Sequence, residues 1–409
     1  MIVGTSNQGT ILLIGHMPHT PDKPKLAILI NEDWFFVSHF LARAKAAQRE
    51  GFDVTIIART NGDSAIAEKM KGLSVVDFNM RRTNANPFKL FLEVMRLRAI
   101  YRQLEPDIAH HVGLRPMVVG SLAAIGNRVL SIINAPIGLG FIFLSNTVRA
   151  SLIRQPLRML LRFAVRRPNA MLIVENSDDL TEMTTRYDLP RARVRLIEGA
   201  GVDFSKFQGI DHLKTQEGAE PAPPTIMLAS RMLREKGVQE FVEASRIIRA
   251  AGIPGRFVLV GEPDMENPGH ITEDELRAWH EEGIVEWWGH SSRMTETLQE
   301  ADIFVLPSYR EGLPKVVLEA IASGCAIITT DVPGCRQAVT DGETGLLVPA
   351  HDGTMLAKAI SDLIHDAEKR RRLATAAYAD AQTRFAEDVV IAKTVNTYRE
   401  VLSSHQRGS

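Results

Sequence analysis

The chain has little cysteine: two thiols, Cys325 and Cys335, among 409 residues. They lack the spacing of a metal site. Isolated cysteines of this kind are typical of small buried residues in a protein from a reducing compartment. We therefore expect both thiols to be buried and the protein to be cytoplasmic.

Long hydrophobic runs are also missing. The longest uncharged stretch, Val129–Val148, has the twenty residues that a membrane span needs. It is interrupted by residues that break regular structure, namely Asn134, Pro136, Gly138 and Gly140. The stretch therefore predicts a core strand followed by a loop. The N-terminus has no basic segment before a long apolar run, so we expect no signal peptide and interpret residues 1–24 as a flexible leader.

A net charge of −1 conceals an uneven distribution of charge. Residues 25–205 contain 25 Lys and Arg against 17 Asp and Glu, whereas residues 206–409 contain 22 against 31. A basic half joined to an acidic half suggests that the first half faces an anionic partner. We expect no nucleic acid partner.

The length suits two domains of about 180–200 residues. The segment Lys25–Asn31 predicts a strand, Glu32–Phe36 a loop, His39–Glu50 a helix after a Ser38 N-cap, and Val54–Ala58 a second strand. Alternation of strand and helix at this spacing predicts a doubly wound parallel sheet in an α/β fold. Ligands bind such sheets beyond the carboxyl ends of the strands.

Three histidines that follow predicted strands are candidates for lining that cleft, although surface or capping roles fit them equally well: His39, His110 and His111. The Gly138-Leu139-Gly140 segment would let the backbone approach a ligand closely. It lacks the third glycine and the acidic residue of a dinucleotide fingerprint, which argues against a nicotinamide oxidoreductase.

Residues 148–167 combine a basic stripe with apolar surface, and the stripe repeats every four residues: Arg154, Arg158, Arg162 and Arg166. Such a helix can lie on an anionic membrane surface. An ordinary amphipathic helix with a solvated charged face explains the pattern equally well, and both interpretations stay open. Further arginines in the same half favour the membrane slightly.

The stretch 301–323 is the most informative part of the chain. Ile303–Leu306 predicts a buried strand, and a helix is predicted to open at Pro314, since proline suits the first helical turn. The helix N-terminus would then point into the cleft and form a phosphate-binding site. Glu311 and Glu319 flank this predicted site. Arg231 and Lys236 follow another predicted strand, Thr225–Ala229, at a second helix start.

The pattern Glu311-Gly312-x-Pro314-x4-Glu319 resembles the Glu-x7-Glu motif of the family 4 retaining glycosyltransferases. That resemblance implies a GT-B fold, in which two Rossmann-like domains face a central cleft. It also implies that Glu311 contacts the donor sugar, that Glu319 holds the ribose, and that Arg231 and Lys236 neutralise the diphosphate. The remaining implied donor-binding residues are Gly312, Leu313, Pro314, Lys315, Val316, Gly289 and His290.

The resemblance also implies a division of the chain into domains. An acceptor-side domain would span residues 25–207, a linker 208–224, a nucleotide-sugar-binding domain 225–386, and a helix at 387–402 would cross back to the first domain. The histidine that many family members carry near residues 134–137 is missing here, so the first domain's contact with the donor sugar stays unassigned.

Bacterial enzymes that extend undecaprenyl-diphosphate-linked sugars share several segments with the chain, among them Lys236–Phe241 and Leu306–Pro314. This likeness implies a hexosyl or N-acetylhexosaminyl transfer from a UDP-sugar to a lipid-linked saccharide, without cofactor or metal, at the cytoplasmic side of the inner membrane. Two alternatives remain: transfer to a soluble sugar or glycan, and nucleotide-sugar binding without turnover.

Overall fold

The computed structural model describes residues 2–3, 23–80, 86–137, 159, 162–167, 169–207, 209, 222–265 and 267–406. The chain forms two compact units. Unit 1 comprises Met1–Ile197 and Val390–Ser409, and unit 2 comprises Glu198–Val389. No described helix is long and apolar enough to cross a membrane.

Unit 1 contains an eight-stranded parallel sheet with the order β1-β4-β3-β2-β5-β6-β7-β8. Its strands are β1 (Ile2–Val3), β2 (Lys25–Glu32), β3 (Asp53–Arg59), β4 (Ser74–Asp77), β5 (Ile108–Val112), β6 (Ser131–Ala135), β7 (Ala170–Val174) and β8 (Val194–Leu196). Its helices are α1 (Asp33–His39), α2 (Leu41–Arg49), α3 (Ser64–Lys69), α4 (Pro87–Leu104), α5 (Leu114–Ala123) and α6 (Ser177–Thr185).

Strand β2 explains why the sheet is covered on both faces. Leu26 and Ile28 belong to one apolar cluster, whereas their neighbours Ala27 and Leu29 belong to another. Successive strand residues point to opposite faces, so an unbroken apolar run must be buried on both sides. This is the arrangement that parallel strands alternating with helices produce.

The first helical segment differs from its prediction. The loop predicted at Glu32–Phe36 is the end of β2 and the start of α1, and α2 follows after Phe40. The buried Asp33 carboxylate accepts the backbone amides of Trp34 (2.7 Å) and Asn61 (2.9 Å). A hydrogen bond from a residue 28 positions away stabilises this helix start, so the local pattern did not indicate it.

Unit 2 contains a six-stranded parallel sheet with the order β11-β10-β9-β12-β13-β14. Its strands are β9 (Thr225–Ala229), β10 (Arg256–Val260), β11 (Glu286–Trp287), β12 (Ile303–Leu306), β13 (Ala326–Thr330) and β14 (Leu346–Val348). Its helices are α7 (Val238–Ala250), α8 (Glu273–Glu281), α9 (Met294–Leu298), α10 (Lys315–Ala322), α11 (Cys335–Ala338), α12 (Gly353–His365) and α13 (Ala367–Arg384).

Residues 198–207, which the sequence assigns to the first domain, belong to unit 2. The Val202 amide donates to the Phe385 carbonyl (2.9 Å), and Phe204 packs on the apolar cluster that includes Leu313. The pattern could not indicate this because the partners lie more than a hundred residues later. The chain's last helix, α14 (Glu387–Gln406), contributes Val390 and Tyr398 to a core cluster of unit 1.

Candidate active site

The predicted donor-binding residues follow the two central strands of unit 2. Strands β9 and β12 are neighbours, and the order of strands reverses between them, because β10 continues on one side and β13 on the other. Open parallel sheets bind ligands at this switch point, beyond the carboxyl ends of the strands. The loop after β9 carries Arg231 and Lys236, and the loop after β12 carries Glu311.

These two loops touch through their backbones. Gly237 has φ +73°, and a Cβ atom there would lie 2.2 Å from the Pro307 carbonyl oxygen. The Tyr309 amide donates to the Glu235 carbonyl across the same boundary (2.9 Å). Only glycine permits both this close approach and this φ value, which explains why a glycine follows Lys236.

Lys236 and Glu311 form the ion pair at the centre of the site. Lys236 Nζ lies 2.5 Å from Glu311 Oε1, and the Ser308 hydroxyl donates to the same oxygen at 2.7 Å. The two charged side chains are only 17% and 12% exposed. A charge pair this well shielded has a fixed geometry, since side-chain freedom and water screening are both reduced. The site therefore presents one ammonium and one carboxylate at defined positions.

The Pro333-Gly334 turn, which follows β13, supports the backbone of Glu311. The Glu311 amide donates to the Pro333 carbonyl (3.2 Å), and a Cβ atom on Gly334 would lie 2.4 Å from the carbonyl oxygens of both Glu311 and Gly312. Gly334 also has φ +82°. Any side chain there would displace the Glu311 loop, so the Pro333-Gly334 turn is part of the site.

Helix α10 begins at Lys315, with Pro314 as its N-cap, one residue later than predicted. No side chain caps the helix, and the Val317 amide donates to the Pro314 carbonyl at 3.0 Å. The amides of Lys315 and Val316 are thus the ones best placed to bind an anion at the positive end of the helix dipole. Lys315 Nζ lies 2.7 Å from Glu319 Oε1 one turn later.

Arg231 is held by a residue that the sequence did not indicate. Its guanidinium lies 2.5 Å from the Asp264 carboxylate, and Asp264 belongs to the loop after β10. Gly289 and His290 follow β11, the outermost strand on the same side, and the Gly261 amide donates to the Gly289 carbonyl at 2.7 Å. His290 is exposed.

Direct contacts therefore join Lys236 to Glu311, while Arg231 and Glu319 each have a separate partner. All of these residues follow carboxyl ends of strands in one parallel sheet. A ligand that reaches from β11 to β12 must be elongated, because three strand spacings amount to roughly 14 Å.

Two of the three candidate histidines do not line a cleft. His110 and His111 lie within β5 and are 1% and 0% exposed. His110 Nδ1 pairs with the Tyr398 hydroxyl (2.9 Å), and His111 pairs with Asn134 (2.8 Å) and with the Tyr101 hydroxyl (3.0 Å). The cleft prediction is wrong for both, because both side chains are buried inside the fold and pair there with other side chains. His39 is half-buried and stacks on Phe35.

Burial lowers the pKa of His110 to about 3, with the nearby Arg43 and His111 adding to the effect. Burial likewise lowers the pKa of His111 to about 4. Both imidazoles are therefore neutral at ordinary pH. The two cysteines are buried, and burial raises the pKa of Cys335 to about 12, so it is not a nucleophile.

Several predictions fall outside the described residues. Gly138 and Gly140 are among them, as are residues 208 and 210–221 of the predicted linker and most of the 1–24 leader. Of the basic stripe in 148–167, the described part includes Arg162 and Arg166 but not Arg154 or Arg158. These predictions remain as stated.

Comparisons with known proteins identify the fold and the class of enzyme. A family model for "Glycosyl transferases group 1" matches residues 223–366, and one for "Glycosyl transferase 4-like" matches residues 25–174. The chain is a glycosyltransferase with a GT-B fold, and each of these two models matches one of its halves. The predicted fold and enzyme class are confirmed.

One curated relative of the glycosyltransferase is the N,N'-diacetylbacillosaminyl-diphospho-undecaprenol alpha-1,3-N-acetylgalactosaminyltransferase of Campylobacter jejuni. It is 28% identical over 339 residues, which span 81% of this chain and 87% of the relative.

Two solved structures share the fold. Sucrose-phosphate synthase from Thermosynechococcus elongatus has a TM-score of 0.75 at 20% identity, covering 93% of this chain and all of that one. Anabaena HepE in complex with UDP and glucose has a TM-score of 0.70 at 17% identity, covering 92% of this chain and all of that one.

Sequence patterns missed five contributors to this site: Glu240, Asp264, Ser308, Tyr309 and Gly334. Ser308 contacts Glu311 within one loop, whereas Tyr309 donates its hydroxyl to Glu240 of α7, and Asp264 and Gly334 reach the site from other loops. Gly334 had a local signal in the Pro-Gly turn, and Ser308 and Tyr309 lie inside the predicted loop, but nothing in the sequence joined them to Glu311.

Proposed function

We propose that the glycosyltransferase moves a hexosyl or N-acetylhexosaminyl group from a UDP-sugar to a lipid-linked saccharide acceptor in bacterial polysaccharide or glycan synthesis. The observation that carries this proposal is the shielded Lys236–Glu311 pair at the switch point of the unit 2 sheet. The acceptor named for the Campylobacter relative is a sugar on diphospho-undecaprenol, which favours a lipid carrier here. UDP in the HepE complex favours a uridine donor.

The donor would lie along the carboxyl edge of the sheet. Arg231, Lys236 and the amides of Lys315 and Val316 supply positive charge for the diphosphate. Glu319, one turn into α10, would accept hydrogen bonds from the ribose hydroxyls. Gly289 and His290, which follow the edge strand β11, would contact the base. Glu311, beside Lys236, would orient the sugar.

We propose that the reaction retains the anomeric configuration through front-side attack. The bond between the anomeric carbon and the diphosphate oxygen breaks as the acceptor hydroxyl oxygen bonds to the same carbon. The hydroxyl proton passes to a phosphate oxygen of the leaving nucleotide. Lys236 and Arg231 stabilise the charge that develops on that leaving group. The two-carboxylate geometry of glycosidases is not required, and neither is a metal ion.

A thermal-shift panel of UDP-, GDP- and ADP-sugars tests the donor assignment. We expect stabilisation by a UDP-sugar. The stabilising donor is then incubated with undecaprenyl-diphosphate-linked and water-soluble acceptors, with and without EDTA, and the product's anomeric configuration is determined by NMR. Transfer to soluble acceptors alone would replace the lipid-linked assignment, and an inverted product would contradict the mechanism.

A separate variant tests the proposal that Glu319 holds the ribose. Replacement of Glu319 by alanine should raise the donor KM by about tenfold or more, because a charge-assisted hydrogen bond is lost. Glu368→Ala is the matched control, since Glu368 is an exposed surface carboxylate in the same unit. An unchanged donor KM in Glu319→Ala would show that the carboxylate does not hold the ribose.

A further inference from the structure

Helix α4 of unit 1 exposes an unusual stripe of large apolar side chains. Phe88 is 67% exposed, Phe91 57%, Leu92 39% and Met95 47%. Residues three and four positions apart share one face of a helix, so these four side chains form a continuous strip that we call the α4 stripe. Scattered exposed apolar residues are ordinary, whereas a contiguous patch marks an interaction surface.

The opposite face of α4 already anchors the helix to the fold. Leu97, Ile100 and Tyr101 are buried in a cluster with strand residues of the sheet. Glu93 is also turned inward, where its carboxylate lies 2.7 Å from Arg115. The α4 stripe is therefore not needed for packing within this part of the chain.

The exposed charged residues of helix α4 are all basic. Lys89, Arg96 and Arg102 are exposed on the same helix. Glu93 is the helix's single acidic residue, and its salt bridge with Arg115 removes it from the exposed face. Within Pro87–Leu104 the exposed face thus has an apolar centre, cationic residues beside it and no acidic residue, which complements a surface that is apolar inside and anionic outside.

We propose that the α4 stripe inserts into the surface of an anionic lipid bilayer, with Lys89, Arg96 and Arg102 at the lipid phosphates. Interfacial helices bury Phe and Leu at the acyl boundary and place Lys and Arg among the headgroups. The proposal deepens the proposed function and rests on it, because an enzyme that acts on a lipid-linked saccharide must work at a bilayer. It assigns the contact to a helix other than the 148–167 segment.

The test is co-sedimentation of the full-length chain with vesicles. Vesicles of phosphatidylglycerol with phosphatidylethanolamine are compared with pure phosphatidylcholine vesicles, at low and high salt. We expect wild-type binding to the anionic vesicles that weakens with salt. Phe88→Ser/Phe91→Ser should reduce the partition coefficient by about a hundredfold, since each buried phenylalanine contributes roughly tenfold. Lys89→Ser/Arg96→Ser should reduce it by more than tenfold.

Matched controls distinguish binding through the α4 stripe from nonspecific hydrophobic adsorption and from the effects of misfolding. Met265→Ser and Met355→Ser remove exposed methionines of unit 2 and should bind vesicles as the wild type does. Because the substituted side chains of the stripe are exposed, its variants should melt at the wild-type temperature. Their transfer to a water-soluble acceptor analogue should also be unchanged.

Three outcomes would overturn the proposal: no wild-type binding to anionic vesicles, unchanged binding of the stripe variants, or a change of oligomeric state in these variants by analytical ultracentrifugation. The last would assign the stripe to a second copy of the chain. Failure of the transferase proposal is distinguishable, since a chain that binds vesicles through the stripe but binds no nucleotide sugar would refute only that proposal.

Discussion

The hydrogen bond between Tyr309 and Glu240 gives a sharp test of how the Glu311 loop is held. The Tyr309 hydroxyl lies 2.8 Å from Glu240 Oε1, at the start of α7. The Glu240 side chain is 12% exposed, and its Oε2 has no hydrogen-bond partner in the part of the chain that the structure describes. Burial, assisted by the Glu240 carboxylate, raises the pKa of Tyr309 above its usual value, so the phenol remains a donor.

Replacement of Tyr309 by phenylalanine removes this one hydrogen bond and leaves the other contacts. The amide bond to Glu235 and the ring contact with His351, at 3.6 Å between centroids, do not involve the hydroxyl. Loss of a charge-assisted hydrogen bond to a mostly buried carboxylate should cost about 1.5–3 kcal/mol of unfolding free energy. His351 Nδ1, 3.9 Å from Glu240 Oε1, can compensate for only part of this cost.

The same variant should raise the donor KM severalfold with little change in kcat. Tyr309 lies two residues before Glu311 and acts by positioning that loop. Loss of its hydroxyl should therefore weaken donor binding more than it slows the chemical step. Urea unfolding measures the stability, and initial rates at varied donor concentration measure KM. Tyr378→Phe is the control, since the Tyr378 hydroxyl makes no hydrogen bond within the described residues.

A double-mutant cycle that combines Tyr309→Phe with Glu240→Gln measures the interaction between these two side chains. We expect a coupling free energy of about 1 kcal/mol or more, since the two groups are in direct contact. If Tyr309→Phe unfolds at the wild-type urea concentration and keeps the wild-type KM, the hydroxyl does not hold the loop and the reasoning fails.

Three further perturbations have defined outcomes. Lys236→Met should lower kcat by about 10²–10³ in donor-saturated assays, because the ammonium beside Glu311 would stabilise the leaving group; an unaffected kcat would remove Lys236 from the mechanism. Gly334→Ala should abolish nucleotide-sugar stabilisation in a thermal-shift assay, because its Cβ would lie 2.4 Å from two carbonyl oxygens, and normal donor binding would contradict this. Burial lowers the pKa of His110 to about 3 and of His111 to about 4, from 6.5, so the unfolded chain binds protons that the folded chain does not. Stability of unit 1 should therefore be complete above about pH 6.5 and fall towards pH 4 by about 1.4 kcal/mol per pH unit for each imidazole; urea midpoints that do not change with pH would refute this.

Strands and their order of appearance were well predicted from the sequence. The predicted strands at Thr225–Ala229 and Ile303–Leu306 have the observed bounds, because a parallel strand covered by helices on both faces must be an unbroken apolar run. The start of α10 was predicted to within one residue from a proline and the apolar face that follows it. These are local signals, and a local pattern is sufficient for them.

The polar residues of the core show where local patterns fail. His110 and His111 looked like residues at the end of a strand, yet both lie inside β5. Their partners are Tyr398, 288 residues away, and Asn134, 23 residues away. A buried polar group is acceptable only when such a partner exists, and the partner's position is a property of the fold.

The sequence by itself determined the two α/β halves, the segments that become strands, and the residue types able to bind a nucleotide diphosphate. Periodicity and helix-start chemistry act over a few residues, so they can be recognised without coordinates. Tertiary structure alone decided that Lys236 contacts Glu311 across 75 positions, that Gly334 supports the Glu311 backbone, and that the side chains of the α4 stripe are exposed. Those outcomes depend on which strands become neighbours and which helix faces find a partner, and both are set by packing of the whole chain.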